Sequence, residues 1–142
     1  MEKLEHIGIA VRNLEEANQL FSRLLGKEPY KTEHVESEGV RTSFFDVSGV
    51  KIELLESTRS GSAIDKFIEK RGEGVHHLAF EVDDIHESIA MHRKAGFEPI
   101  NPHPKVGADN KLINFLHPRQ TGGVLIELCQ DVAGPSANAD AS

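Results

Sequence analysis

The sequence predicts an α+β fold of two tandem modules, each running strand, helix and then about three strands (βαβββ). The main observation is an internal repeat, in which His6 falls on His77 at an offset of 71 residues (77 − 6). Farther along, Glu53 falls on Glu127 at an offset of 74 (127 − 53). The change in offset corresponds to short insertions, which loops tolerate. One structural unit therefore occurs twice in the chain.

Each module has the same sequence signals in the same order. An opening run rich in Ile, Val and Phe suits a strand. A polar residue followed three positions later by Glu then predicts a helix start with a capping box, and a glycine after the apolar-periodic stretch predicts its end. These pairs and glycines are Asn13 with Glu16, Asp84 with Glu87, Gly26 and Gly96. The later strands are predicted at Val40–Val47, Val50–Glu56, Ile113–His117 and Val124–Gln130.

Between the modules, SAIDKFIEKRG predicts a linker helix over about 62–72, begun by the Ser62 cap and ended by Gly72. We expect a single domain over 1–131, with module one at about 4–57 and module two at about 75–131. The segment 132–142 is small, polar and proline-bearing, and we expect it to be disordered.

Composition restricts the classes of function. The net charge of −7 at pH 7 argues against a nucleic-acid partner, because the phosphate backbone needs a basic surface. No apolar run reaches the roughly 20 residues that span a bilayer, and the N-terminus lacks signal-peptide features. The single cysteine, Cys129, permits no intrachain disulfide and fits a reducing compartment. We therefore expect a cytoplasmic protein without a membrane partner.

Strand alternation places four potential metal ligands, His6, Glu53, His77 and Glu127, on one face of the sheet. Gly and Ala flank the histidines in the opening strands, whereas the opposite face carries bulky apolar side chains that can pack on the helices. Burying two carboxylates without partners would cost several kcal/mol each, roughly. His76 alternates to the opposite face, and we expect it to be structural.

A divalent metal would compensate these buried groups. Two imidazoles and two carboxylates form a neutral set of N and O donors that cobalt, manganese, nickel and zinc all accept. Singly, each residue is weak support, since a lone strand histidine is more often structural. Two His–Glu pairs at matching repeat positions are harder to explain in that way. The sequence therefore predicts one divalent ion per chain, of a metal that it does not identify.

The paired modules resemble those of the vicinal oxygen chelate superfamily. More closely, the chain resembles the methylmalonyl-CoA epimerases over roughly residues 4 to 130, in its linker helix running into GEGVHH and its HPRQTGGVLIEL ending. The HIGIAV opening is shared across the superfamily. The resemblance implies that the modules form a cupped, partly closed mixed sheet around the metal, with the helices outside. It also implies a homodimer.

The same resemblance implies interconversion of (R)- and (S)-methylmalonyl-CoA in propionyl-CoA metabolism, through abstraction and return of the α-proton by way of an enolate. It makes His6, His77 and Glu127 metal ligands with Glu53 in the variable fourth position. Glu127 and Glu53 are the candidate acid/base residues. Thr42 stands where some relatives have a further glutamate, so the second base stays open. Candidate contacts to the acyl-CoA substrate are the loop residues Lys105, Lys111 and Arg119.

Three alternatives remain from the sequence. Lactoylglutathione lyase (glyoxalase I) uses the same kind of ligand set, although the linker helix and the TGGVLIEL ending favour the epimerase. A non-catalytic binding member of the superfamily would not need two metal-bound carboxylates. An α+β domain with purely structural histidines would leave the matched His–Glu pairs unexplained.

Overall fold

The computed structural model describes residues 3–132, and these form two compact units. One unit contains residues 5–78, and the other contains residues 79–132 with residues 3 and 4. The predicted disordered tail lies outside the described residues, apart from Val132. Within the described part of the chain, no helix has the length and apolar character needed to cross a membrane.

The unit of residues 5–78 contains the first module and the linker helix. Its strands are ordered β2-β3-β4-β1-β5, with β1 parallel to β4 and with β2–β3 and β3–β4 antiparallel. Strand β5 begins here, and its residues 79–81 belong to the other unit, as do residues 3 and 4 of β1. The elements are β1 (Lys3–Ala10), α1 (Leu14–Leu25), β2 (Lys31–Val35), β3 (Val40–Val47), β4 (Val50–Ser57), α2 (Ala63–Arg71) and β5 (Gly74–Glu81).

The unit of residues 79–132 completes the second module. Its strands are ordered β5-β8-β7-β6, and the pairs β6–β7 and β7–β8 are antiparallel. Its further elements are α3 (Ile85–Lys94), β6 (Lys105–Val106), β7 (Lys111–Leu116) and β8 (Ile126–Asp131). Both modules thus have the predicted βαβββ order, which confirms the α+β fold class.

The predicted caps form at the helix N-termini. Asn13 Oδ1 accepts a hydrogen bond from the Glu16 amide at 3.0 Å, and Asp84 Oδ1 accepts one from the Glu87 amide at 3.1 Å. Ser62 caps α2 by accepting from the Asp65 amide at 3.1 Å. Each cap satisfies an amide that the first helical turn leaves without an intrahelical acceptor.

The helix ends differ slightly from one another. Gly26 caps α1 in the left-handed conformation, with φ 70°. In α3 the helix ends one residue earlier than predicted, because Ala95 takes the cap position before Gly96. The last strand also begins two residues later than predicted, at Ile126, since the positive φ angles of Gly122 and Gly123 prolong the preceding turn.

Each unit has its own apolar core between the sheet and a helix. In the first, Leu54 of β4 and Val11, which directly follows β1, pack with Leu14 and Ala17 of α1. In the second, the buried cluster is Val82, Ile85, Ile89, Leu116 and Leu128. The bulky strand faces therefore pack on the helices as predicted. The spacing of apolar residues along α1 predicts a wider buried face than the helix has, since Leu24 is 69% exposed.

We expect Asn13→Ala to lower the free energy of unfolding by about 1 kcal/mol, since the Glu16 amide loses its acceptor. Urea denaturation followed by circular dichroism measures the change. Gln19→Ala is the matched control, because Gln19 is an exposed residue of the same helix. It should stay within about 0.5 kcal/mol of the parent chain. Equal stabilities for the two variants would contradict the capping role.

Candidate functional site

Two histidines on neighbouring strands bring their ring nitrogens together in the unit of residues 5–78. His6 on β1 and His77 on β5 are 4% and 5% exposed, and their Nε2 atoms lie 3.1 Å apart. The rings meet edge to face, with an interplanar angle of 86°. Burial is the main cause that lowers the pKa of His77 well below 6.5, followed by the nearby His6 and His76. His77 is therefore neutral at pH 7, the form in which imidazole binds a metal.

Gly8 makes room for this arrangement. A Cβ atom on Gly8 would lie 2.2 Å from Cε1 of His77, far inside van der Waals contact. Gly8 also pairs with Glu53 in the parallel register of β1 and β4. The ring of His77 therefore leaves no space for a side chain at position 8. This explains physically why β1 carries a glycine on the face of His6.

Glu5 contacts the other ring nitrogen of His6. Its Oε1 atom lies 2.6 Å from His6 Nδ1, and its Oε2 atom accepts from Lys51 Nζ at 2.5 Å. Burial alone would raise the pKa of Glu5, but hydrogen bonds from His6 and Lys51 outweigh it and lower the pKa to about 2. Sequence reasoning missed Glu5, because strict alternation assigns it to the face opposite His6. The Glu–His dipeptide was its only signal.

The side chain of His76 lies beside His77, contrary to the prediction from strand alternation. Alternation assigned it to the opposite face, but its Nδ1 atom lies 2.9 Å from Nδ1 of His77. The ring also meets Phe67 of α2 edge to face, with the centroids 5.0 Å apart. Burial lowers the pKa of His76 to about 4, so this ring is neutral as well. Packing against Phe67 of the linker helix turns the His76 side chain towards His77. The two-residue alternation of a strand does not predict such a contact.

Glu53 is buried on β4, at 3% exposure, and lies close to the histidine pair. Its Oε2 atom is 3.1 Å from His6 Nδ1. This contact is on the Nδ1 side of the ring, whereas Nε2 faces His77. Among the four predicted ligands, the structure thus makes the Nε2 atoms of His6 and His77 face each other, and it places Glu53 at the other ring nitrogen of His6.

Glu127 belongs to the other unit, where it is 4% exposed on β8 and pairs with Phe115 of β7. In the same strand, the buried thiol of Cys129 is in no disulfide and donates to the Phe80 carbonyl oxygen at 3.6 Å. A carboxylate buried on a strand needs a partner to offset its desolvation. The predicted pattern of one buried His and one buried Glu per module is therefore present.

Lys111 does not lie where a contact to the acyl-CoA substrate was predicted. It was expected in a loop, but it starts β7, is 5% exposed and forms an ion pair with Asp131. Its stem packs into the strand and its charge is already paired, so it is not a loop-borne contact. Lys105 is not in a loop either, because it lies in the short strand β6. Lys105 and Arg119 are nevertheless exposed, as such contacts require.

The donors of the histidine pair fit a divalent metal. For metal–nitrogen bonds of roughly 2.1 Å, two nitrogen ligands lie about 3.0 Å apart in octahedral and about 3.4 Å apart in tetrahedral coordination. The observed separation of the His6 and His77 Nε2 atoms, 3.1 Å, lies between these values. His6, His77 and Glu127 are all buried, and each offers one ligand atom.

Comparison with known proteins decides the family. The profile of the glyoxalase/bleomycin resistance protein/dioxygenase superfamily matches residues 5–115. The mitochondrial methylmalonyl-CoA epimerase of Dictyostelium discoideum is 38% identical over 89% of this chain and 76% of its own length. An ethylmalonyl-CoA/methylmalonyl-CoA epimerase of Cereibacter sphaeroides is 37% identical, over 90% of this chain and 97% of its own. The chain belongs to the methylmalonyl-CoA epimerase family.

A solved structure of the methylmalonyl-CoA epimerase family has the same fold. A variant of the Streptomyces coelicolor epimerase, in complex with 2-nitronate-propionyl-CoA, superposes with a TM-score of 0.88 at 36% identity. The similarity covers 94% of this chain and 97% of that one. Both sequence relatives and this neighbour thus agree on the family.

In this member of the epimerase family, the hydroxyl of Thr42 is buried on the same strand face as the candidate ligand Glu53. The register places Phe44 opposite Glu53, so Thr42, two residues along β3, shares the face of Glu53. Thr42 is 0% exposed, and its Oγ1 atom has no hydrogen-bond partner among the described residues. The site face therefore carries a hydroxyl at this position, where the resemblance implies glutamate in some relatives.

Proposed function

We propose that this chain is a metal-dependent methylmalonyl-CoA epimerase. The observation that carries the proposal is the pair of buried, facing Nε2 atoms of His6 and His77 in a chain of this family. Each ring, when it carries its hydrogen on Nδ1, presents a lone pair at Nε2 to a cation, and two such nitrogens 3.1 Å apart match two ligands of one ion. The epimerase relatives supply the substrate class, an acyl-CoA with a carboxylate on its α-carbon.

His6, His77 and Glu127 would hold the ion, with Glu53 as the fourth ligand. Burial of all four side chains supports this set, as does their occurrence in pairs at matching positions of the two modules. A divalent metal, when bound, supplies a Lewis acid towards the negative charge that develops on the thioester oxygen. Cobalt, manganese, nickel and zinc remain open, because the donor set suits each of them.

Epimerisation requires proton exchange on both faces of a planar enolate, and hence two acid/base groups. We propose Glu127 and Glu53 for these roles. One carboxylate would take the α-proton, and the other would return a proton to the opposite face. The short hydroxyl of Thr42 offers no general base of comparable strength, which supports Glu53 as the second group.

Lactoylglutathione lyase is the competing activity. The named relatives are epimerases, and they cover nearly the whole chain, which supports the epimerase over the lyase. The buried His–Glu pairs support catalysis over simple ligand binding.

We further propose a cytoplasmic homodimer that contacts the acyl-CoA through Lys105 and Arg119. The single cysteine, which is in no disulfide, supports a reducing compartment. Exposed apolar side chains on one helix, Leu20 and Leu24 at 51% and 69%, support self-association.

Incubation of the metal-loaded protein with one epimer of methylmalonyl-CoA in heavy water tests the proposal. We expect deuterium at the α-carbon and approach to an equal mixture of epimers, because the enolate is reprotonated from solvent. Both should cease when a chelator removes the metal and return when the metal is restored. Mass spectrometry measures deuteration, and a stereospecific coupled assay measures the epimer ratio.

Absence of exchange with cobalt, manganese, nickel and zinc in turn would exclude the epimerase function. The hemithioacetal of methylglyoxal and glutathione serves as the parallel substrate. Its turnover without any turnover of methylmalonyl-CoA would assign the chain to lactoylglutathione lyase. Tight acyl-CoA binding without exchange would assign it to the non-catalytic binders.

A further inference from the structure

We propose that Glu5 is a positioning residue that holds His6 as the Nδ1–H tautomer and so leaves the Nε2 lone pair of His6 available for a cation. The inference rests on the proposed function for the identity of that cation, a divalent metal. Glu5 acts through His6 and contacts it from the side opposite Nε2.

The geometry of the Glu5–His6 contact supports this role. Glu5 is 2% exposed, and its Oε1 atom lies 2.6 Å from His6 Nδ1. An ionised carboxylate can only accept a hydrogen bond, so Nδ1 is the donor. A neutral imidazole carries one hydrogen, and its location on Nδ1 makes Nε2 the acceptor. Nε2 is the atom that faces His77 at 3.1 Å.

Lys51 fixes the other end of Glu5. Its Nζ atom donates to Glu5 Oε2 at 2.5 Å, and its side chain is only 21% exposed. An isolated buried carboxylate would be costly, and the lysine offsets that cost while the carboxylate remains ionised. The ion pair thus supplies a charged acceptor in a fixed orientation, as the outer carboxylate of a carboxylate–histidine–metal arrangement does.

Glu53 is the competing acceptor, since its Oε2 atom also lies 3.1 Å from His6 Nδ1. The nitrogen has one hydrogen to donate, and the shorter contact, at 2.6 Å, is to Glu5. Assigning the hydrogen to Glu5 is consistent with the proposed role of Glu53 as a ligand or base.

The assignment has a consequence for the second histidine. If His6 Nε2 is the acceptor in the metal-free protein, His77 Nε2 carries the hydrogen across the 3.1 Å contact. His77 Nδ1 is then an acceptor, and His76 Nδ1 donates to it across 2.9 Å. Glu5 therefore sets the direction of a chain of hydrogen bonds through all three rings.

Nitrogen-15 NMR of the metal-free protein tests the tautomers directly. The signals of each ring are assigned by their absence from His6→Asn and His77→Asn variants. We expect the Nδ1–H form for His6 and the Nε2–H form for His77. In Glu5→Gln, whose amide can either accept or donate, we expect His6 to lose its single tautomer. Finding His6 as the Nε2–H form in the unsubstituted protein would overturn the proposal.

Zinc affinity, measured by competition with a chromogenic chelator, is the second readout. Glu5→Gln should bind zinc about 10- to 100-fold more weakly than the parent chain. Glu5→Asp keeps the charge and should retain more affinity, whereas Glu69→Gln, on the exposed side of α2, should bind as the parent does. Equal losses in Glu5→Gln and Glu5→Asp would assign the effect to packing and overturn the proposal.

The two readouts also separate this inference from the proposed function. Failure of the parent chain to bind any divalent metal would count against the function alone, while the tautomers of His6 and His77 would still decide the role of Glu5. Circular dichroism of each variant confirms that it is folded before either measurement.

Discussion

Glu127→Gln is expected to lower kcat for methylmalonyl-CoA epimerisation by at least about 100-fold, because it removes one proposed acid/base group. The amide is nearly isosteric with the carboxylate, so the buried strand position should tolerate it. Metal affinity should fall as well, since an amide oxygen is a weaker and uncharged ligand. Steady-state kinetics with each epimer and chelator competition measure the two effects.

Glu98→Gln is the control for Glu127→Gln, because Glu98 is an exposed acidic residue of the same unit. It should leave both kcat and metal affinity unchanged. If Glu127→Gln retained near-parental turnover while folded, Glu127 would be neither the base nor an essential ligand. A loss of metal affinity with unchanged kcat at saturating metal would reduce its role to ligation.

Gly8→Ala is expected to weaken metal binding by at least roughly 100-fold. This equals the largest loss expected when a residue that hydrogen-bonds a metal ligand is removed. The new Cβ would lie 2.2 Å from Cε1 of His77, and the buried ring can avoid it only by leaving its place opposite His6. The same displacement should break the close Nε2 contact of the two histidines. Zinc competition measures the affinity, and NMR of the histidine rings reports the displacement.

Gly107→Ala provides the matched control. Its new Cβ would lie 2.6 Å from Cδ1 of Ile113, so it also overcrowds a buried site, but against an aliphatic side chain. We expect a loss of stability of about 1–3 kcal/mol without a comparable loss of metal affinity. Parental zinc affinity in Gly8→Ala would show that the strand adjusts and would remove the special role of this glycine.

Much of the fold could be predicted from the sequence, because its signals are local. The caps at Asn13, Ser62 and Asp84 are set by the reach of a side chain over three residues. Strand alternation correctly placed bulky residues such as Leu54 and Leu128 towards the helices. The repeat then predicted the same element order twice, and comparison of the two modules singled out the His–Glu pairs.

The late strand boundaries were less predictable. Val124 fits the strand pattern, but the chain turns at Gly122 and Gly123 before β8 begins at Ile126. The sequence pattern likewise predicts a loop at Lys111, whereas this residue begins β7 with its charge paired to Asp131. A strand begins where a neighbouring strand can pair with it, which is a property of the partner as well as of the segment.

The sequence by itself determined the element order, the family and the four candidate ligands. Only the tertiary structure decided what surrounds them: Glu5 on His6 Nδ1, His76 on His77 Nδ1, and the space that Gly8 leaves. Periodicity assigns a side chain to a face, but burial and the need to pair every buried polar group decide where it points. Glu5 and His76 therefore lie beside the candidate ligands His6 and His77, although alternation assigned both to the opposite face.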